Sequence, residues 1–197
     1  MSKKIVAIVG SYRKGMIIDT AVSAVLAGAA EQGARTQKIY LVDKHIEFCT
    51  NCRTCAQQDT HGVRATCVHD DDMEDILRQI DEADGIVLAS PVNLGTVTAI
   101  TKRFIERLIV YSYWPWGHPF PKSRITKPNK KAIIIASSAC PAFLGRIFFR
   151  TTLELLKSAA KWMGAEVSKS LYFGKVCLNA DSQLSDRALL KAKKAGL

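Results

Sequence analysis

A doubly wound α/β domain, with five parallel strands in one sheet and helices on both faces, is the fold class this sequence predicts. Three observations predict it. Short apolar runs rich in Val, Ile and Ala recur five times along the chain. A stretch with helical spacing of its apolar residues follows each run, and three of the runs close on small, polar, Gly- or Pro-marked residues. The alternation occupies residues 1–197 with no internal repeat and no linker, so one domain is expected.

The elements follow in order. Residues 4–10 (KIVAIVG) read as a buried strand, ended by Gly10 and Ser11. Residues 16–32 read as a helix with Ile17, Val22, Val25, Leu26 and Ala29 on one face and Gly33 just past its end. A strand at 36–42 leads into a loop, 45–69, too long for a compact domain unless it has a task. Asp70, Asp71 and Asp72 open a helix to about residue 82, at the end where the helix dipole favours acids. A strand at 85–90 (GIVLAS), a helix at 96–111, a strand at 132–138 (AIIIASS), a helix at 144–163, a strand at 166–173 and a helix at 182–194 complete the pattern.

Composition narrows the function. The chain is 48% hydrophobic and 23% charged with 12 Gly and 6 Pro, which excludes disordered and collagen-like classes. No apolar run reaches the roughly 20 residues of a membrane helix, and the Met1-Ser2-Lys3-Lys4 start precedes too short an apolar run for a signal peptide. A cytoplasmic protein without a membrane partner is expected. The net charge of +10 is lopsided: residues 1–100 carry 10 Lys and Arg against 13 acids, and residues 101–197 carry 18 against 5. A basic half suits an anionic partner, or is a solvated helix surface. No zinc-finger or other nucleic-acid motif accompanies it, so no nucleic acid is expected.

In an open parallel sheet, ligands bind outside the carboxyl ends of the strands. After the first strand stand Ser11, Tyr12, Arg13, Lys14, Gly15, Met16 and Ile17: a hydroxyl, two cations and a helix start, suited to a phosphate monoester. The segment is neither a Walker loop nor the dinucleotide fingerprint. After the third strand stand Pro91, Val92, Asn93, Leu94, Gly95 and Thr96, polar and apolar groups in alternation, suited to the edge of a flat ring. After the fourth stand Ser137, Ser138, Ala139, Cys140 and Pro141, small and polar enough to leave room for a ligand. A phosphoacceptor pocket would need acids directly after the first strand, where Gly10-Ser11-Tyr12 stand, and no G-x-S-x-G elbow supports a serine hydrolase.

These residues resemble a known family. The opening KIVAIVGSYRKG is similar to the G-S-x-R start of NAD(P)H-dependent FMN reductases of the flavodoxin-like class. Residues 83–107 (ADGIVLASPVNLGTVTAITKRFIER) resemble that family's strand, Ser-Pro loop and helix, including its Lys-x-Phe-x-Asp-Arg pattern, here Lys102 to Arg107 with Glu106 for Asp. The cysteines between them resemble the branch that includes the iron–sulfur flavoproteins. The resemblance implies a flavodoxin-like fold. It also implies that Ser11, Arg13 and the following turn hold the FMN phosphate, that Pro91, Val92, Asn93 and Thr96 line the isoalloxazine, and that residues 138–141 form a third wall. Three departures stand out: Tyr12 replaces a usual Pro, Ile17-Ile18 replace Asn-Thr, and Val92 replaces an aromatic residue. They leave the phosphate to backbone N–H groups, Ser11, Arg13 and Thr20.

Cys49, Cys52 and Cys55 stand at two-residue spacings, with Cys67 eleven residues further on. Four thiolates at such spacing suit a [4Fe–4S] cluster or zinc, and equally leave a set of redox-active thiols; His61 and His69 lie near enough in sequence to serve zinc. Cys177 reads as a buried small residue. An aromatic segment, 111–120 (YSYWPWGHPF), suits a flavin cover, a subunit contact or a satellite core. The expected function is an FMN-dependent oxidoreductase passing electrons from NAD(P)H to a flavin, quinone or other small acceptor, with no catalytic side chain required. The alternatives are a two-centre electron carrier working with a redox protein, and a non-catalytic zinc-stabilised domain. A homo-oligomer is expected.

Overall fold

The computed structural model describes residues 2–60, 62–176 and 182–197; Cys177 and His61 lie outside the described residues. Strands β1 (Lys4–Val9), β2 (Arg35–Tyr40), β3 (Gly85–Pro91), β6 (Lys130–Ser137) and β7 (Ala165–Phe173) form one parallel sheet in the order β2-β1-β3-β6-β7. The described helices are α1 (Ile17–Glu31), α2 (Thr54–Gln57), α3 (Met73–Asp81), α4 (Ala99–Arg107), α5 (Ala142–Phe148), α6 (Arg150–Trp162) and α7 (Asp186–Gly196). Two-residue strands β4 (Ser112–Tyr113) and β5 (Lys122–Ser123) pair antiparallel beside the sheet. This is the predicted flavodoxin-like arrangement.

Alternation along β1 divides the core. Val6 and Ile8 join Ile76 and Leu77 of α3, Phe104 of α4 and Leu156 of α6 on one face. Ala7 and Val9 join Val22 and Val25 of α1 and Ala192 of α7 on the other. Strand order reverses at β1, which pairs with β2 on one side and β3 on the other. The crevice above their carboxyl ends is where such a sheet accepts a ligand.

Several elements differ from expectation, each for a local reason. The helix expected at 144–163 breaks at Phe149 (φ −111°, ψ 32°) into α5 and α6. Its middle, Phe148 to Thr152, is aromatic and β-branched and favours helix weakly. The two halves also have different seats: Gly145 of α5 sits against the Tyr172 ring, while Leu153 and Leu156 of α6 enter the main core. The helix expected from residue 70 begins at Met73, because Asp72 and Asp71 accept the N–H groups of His45 (2.8 Å) and Glu47 (2.7 Å). The helix expected from 96 begins at Ala99, capped by the Thr98 hydroxyl, and tightens to a 3₁₀ turn at Leu108–Tyr111. The last helix starts at Asp186 behind the Ser185 cap. The long loop contains a helical turn, α2, that the sequence reading left out.

Candidate functional site

A glycine and three hydroxyls set the floor of the crevice. A Cβ on Gly10 would lie 1.8 Å from Thr101 Oγ1, so only glycine lets β1 approach α4 this closely. Thr98 Oγ1 donates to Gly10 O (2.6 Å), Thr98 N donates to Ser90 Oγ (3.1 Å), and the Thr98 and Thr101 hydroxyls lie 2.7 Å apart. All three hydroxyl residues are buried. The network fastens the ends of β1 and β3 to the start of α4, so the two loops that leave those strands share a rigid base.

The first loop is shaped by its own side chains. Ser11 Oγ accepts from Arg13 N (3.1 Å) and donates to Arg13 O (3.2 Å). Asp19, buried in the first turn of α1, accepts from Gly15 N (2.6 Å), Lys38 Nζ (2.6 Å) and Tyr40 OH (2.9 Å). Burial opposes ionisation of Asp19, but Lys38, the Gly15 N–H and Tyr40 together hold its carboxyl below the usual range. The N-cap of α1 is Met16, whose side chain makes no capping hydrogen bond, so among the described residues the 15-residue helix starts without a side-chain N-cap.

Two further loops complete the crevice. Asn93 N donates to Thr96 O (2.7 Å) and Thr96 N to Asn93 O (3.2 Å), closing a turn with Leu94 (φ 45°) and Gly95 (φ 87°) at its tip. Both residues take the left-handed conformation, which costs Leu94 about 1–2 kcal/mol, and its side chain is fully exposed. After β6, Ser138 N donates to Phe173 O (3.0 Å) and Cys140 O accepts from Lys175 N (2.9 Å). The hydroxyls of Thr96 and Ser138 are buried with no hydrogen-bond partner among the described residues. Ser11, Arg13, Met16, Ile17, Ile18, Pro91, Ser137, Val176 and Ser182 line a cleft of about 160 Å³ between these loops.

The cysteine loop is a second candidate region. Cys55 is buried, Cys49 and Cys67 are partly buried and Cys52 is exposed. Burial pushes the Cys55 thiol up to about 11, and the charges of Cys67, Cys49 and Cys52 push in the same direction, so the four sulfurs share one neighbourhood. Among the described residues no group of three or more His, Cys, Asp or Glu side chains is placed to hold a metal ion. The donor set still fits a four-thiolate centre by its chemistry. The aromatic segment, residues 111–120, holds the loop. Trp114 N donates to Ala56 O (2.8 Å), Gln57 Nε2 to Trp114 O (2.9 Å), and Trp116 N to Gln57 Oε1 (2.9 Å). The Arg53 guanidinium lies between the Trp114 and Trp116 rings, 3.8 and 4.0 Å from their centroids. The aromatic segment therefore clamps the cysteine loop.

Comparison with known proteins now identifies the chain. Residues 3–142 match the family model described as NADPH-dependent FMN reductase. The chain belongs to that family. Curated relatives named "Iron-sulfur flavoprotein" include one from Archaeoglobus fulgidus, 36% identical over 112 residues, covering 57% of this chain and 48% of the relative. Another, from Methanosarcina thermophila, is 35% identical over 107 residues, covering 54% and 53%. This FMN reductase family member thus spans about half the length of the curated relatives it matches. Solved structures share its fold: an NAD(P)H:quinone oxidoreductase from Methanothermobacter marburgensis has a TM-score of 0.73 at 15% identity, covering 100% of this chain and 98% of its own. An FMN-dependent NADH-azoreductase from Bacillus anthracis in complex with FMN has a TM-score of 0.70 at 13% identity, covering 98% and 97%.

Among the residues this reductase family implies, the cleft brings together Ser11, Arg13, Met16, Ile17 and Pro91. Lys14 turns toward β2, with Nζ 2.6 Å from Asp43 and over the Tyr40 ring. The Gly15 N–H is engaged by Asp19, and the Thr20 hydroxyl by the Met16 and Ile17 carbonyls of its own helix. Val92, Asn93, Leu94, Gly95 and Thr96 form the middle turn, and Ala139 and Cys140 stand at the rim of the last loop. Sequence reasoning named Ile18 as a departure from the family's turn and Ser137 as the start of the loop after the fourth strand; it missed Val176 and Ser182. Val176 follows the fifth strand, whose end was not considered. It also missed the arginines around the cysteines, which carry no spacing signal.

Proposed function

We propose that this chain is an FMN-dependent oxidoreductase that passes electrons from NAD(P)H to a flavin, quinone or other small acceptor. One observation carries the reading. At the switch point of the sheet, a Ser11–Arg13 turn and the start of a helix whose N-cap residue offers no side-chain cap line one cleft, and the loops after β3 and β6 beside it hold two orphan buried hydroxyls, Thr96 and Ser138. Uncapped N–H groups with an adjacent Arg suit a phosphate, and orphan hydroxyls suit the polar edge of a ring. When bound, FMN supplies a centre that takes electrons in pairs and gives them singly or in pairs. The chain's residues orient and desolvate it: Ser11, Arg13 and the α1 N–H groups bind the phosphate, while Pro91, Val92, Asn93 and Thr96 border the ring. The test is equilibrium binding of FMN and of riboflavin to the purified chain, followed by NADH and NADPH oxidation. Micromolar or tighter FMN binding with weaker riboflavin binding supports the reading; no flavin binding overturns it.

A second reading adds an iron–sulfur centre held by Cys49, Cys52, Cys55 and Cys67, with a redox protein as partner. The relatives named iron–sulfur flavoprotein and the gathering of four thiols around Cys55 favour it. Anaerobic purification with iron, sulfide and zinc analysis decides between cluster, zinc and free thiols.

A further inference from the structure

Four arginines surround the cysteine loop. Arg107 Nη1 donates to Glu47 O (2.9 Å), two residues before Cys49. The Arg103 guanidinium lies over the ring of Phe48, next to Cys49. Arg53 directly follows Cys52, and its Nη2 donates to Trp114 O (2.7 Å). Arg124 Nη2 donates to Cys55 O (3.1 Å) and Gln58 O (2.6 Å), and its Nη1 donates to Thr60 Oγ1 (2.8 Å). In all four the Nε–H is buried and has no acceptor among the described residues. Buried N–H donors without acceptors are rare in folded proteins, and four around one loop point to an acceptor that belongs there.

Charge makes the same point, most sharply at Arg124. Arg107 has a carboxylate partner, Asp71 at 2.5 Å, and the pair is 2% and 0% exposed. Arg124 is 7% exposed, yet its three hydrogen bonds all go to uncharged oxygens. A buried cation is costly unless an anion compensates it. The natural counterion is therefore the sulfur centre itself, because four thiolates around iron or zinc carry net negative charge and their sulfurs accept N–H hydrogen bonds.

We infer that Arg124, with Arg53, Arg103 and Arg107 around it, is a positioning and charge-balancing residue of an anionic four-thiolate centre. Arg124 fastens the loop through its main chain and supplies the positive charge that raises the centre's reduction potential. Arg53 and Arg103 add charge at the first two cysteines, and Arg107 ties the start of the loop to α4. The inference rests on the reading of the cysteines as iron–sulfur ligands. It predicts that removing the guanidinium charge weakens and re-tunes the centre even where the loop stays folded.

The experiment is anaerobic reconstitution of the wild-type chain, Arg124→Lys and Arg124→Met with ferrous iron and sulfide. Iron and sulfide per chain, the rate of iron loss to a chelator, the midpoint potential and far-UV circular dichroism are then read. We expect all three to load with native-like circular dichroism. Arg124→Met should lose iron at least several-fold faster and titrate at a lower potential, and Arg124→Lys should recover most of the potential because it keeps the charge. A merely structural role would not move the potential in a folded variant. Should Arg124→Met, loaded and folded, match the wild type in potential and iron retention, the inference is overturned and the cluster reading stands. An Arg124→Met chain that does not fold leaves Arg124→Lys against Arg124→Gln to decide: equal potentials for those two overturn the inference. A wild-type chain that takes up no iron and sulfide overturns the cluster reading and the inference together.

Discussion

The strand-end crevice and the cysteine loop each rest on one buried carboxylate, and the two carboxylates are used differently. Asp19 holds Gly15, Lys38 and Tyr40, all from one β1–α1–β2 unit, and its Lys38 partner stays partly exposed. Asp71 holds Glu47 N, Met73 N and Arg107, drawing on residues 24 and 36 positions away, and is fully buried. The crevice is thus built from turns that strand ends supply locally. The cysteine loop has a single helical turn of its own, α2, and is held by the start of α3, the end of α4 and the aromatic segment. A local site tolerates loss of one contact, whereas an assembled one fails when its central ion pair fails.

The sharpest test of that contrast is Arg107→Met. It strands a buried carboxylate, for which a loss of about 3–5 kcal/mol is expected, read by urea denaturation. The double change with Asp71→Asn should recover much of that loss, and a full 3–5 kcal/mol loss in the double variant would refute the ion-pair account. Arg13→Ala comes next: FMN should bind about 1.5–3 kcal/mol more weakly through a lost charge-assisted bond, with riboflavin unchanged by calorimetry. Equal losses for both ligands would remove Arg13 from the phosphate.

Acid unfolding separates the two carboxylates further. Both carboxyls are held below the ordinary range, Asp19 chiefly by Lys38 and Asp71 chiefly by Arg107, against the opposing effect of burial. Their stabilisation is therefore complete above the unfolded value of about 3.9 and is lost as pH falls through the lower folded value. Asp19→Asn and Asp71→Asn should each lower stability at pH 7 and flatten its decline below about pH 4, with the larger effect at Asp71. Tryptophan fluorescence against pH checks this, since Trp114 and Trp116 report on the cysteine loop. The smallest effect expected is at the rim of the crevice. Leu94→Gly should gain up to about 1 kcal/mol in thermal unfolding by relieving a left-handed Leu, and a loss would mean that the exposed side chain has a partner.

Much of the crevice was legible in the sequence because parallel sheets bind ligands at strand ends, and strand ends are marked by Gly10, Pro91 and Ser138. Legibility stopped at side-chain direction. Nothing in the string tells that Lys14 turns to Asp43, that Asp19 engages the Gly15 N–H, or that the Thr20 hydroxyl returns to its own helix. The cysteine spacing was plain, and its surroundings were not. The aromatic segment, read as a flavin cover, subunit contact or satellite core, also clamps α2 through Trp114 and Trp116, which no spacing in the sequence announces. The break at Phe149 was likewise hidden, because helical periodicity continues through it while the two halves find different seats.

The sequence by itself determined the strand–helix alternation, the parallel sheet, the loops at its carboxyl edge and the grouping of four cysteines, since each follows from periodicity or spacing within a short window. Tertiary structure alone decided the buried bond of Arg107 to Asp71, the seating of Arg124 on the Cys55 carbonyl, and the hydroxyl network that joins Ser90, Thr98 and Thr101 to Gly10. Those contacts span from 8 to 91 positions of sequence, and most exist only because the sheet brings remote segments together. Once they are buried, a polar group must find its partner among whatever the fold has placed beside it.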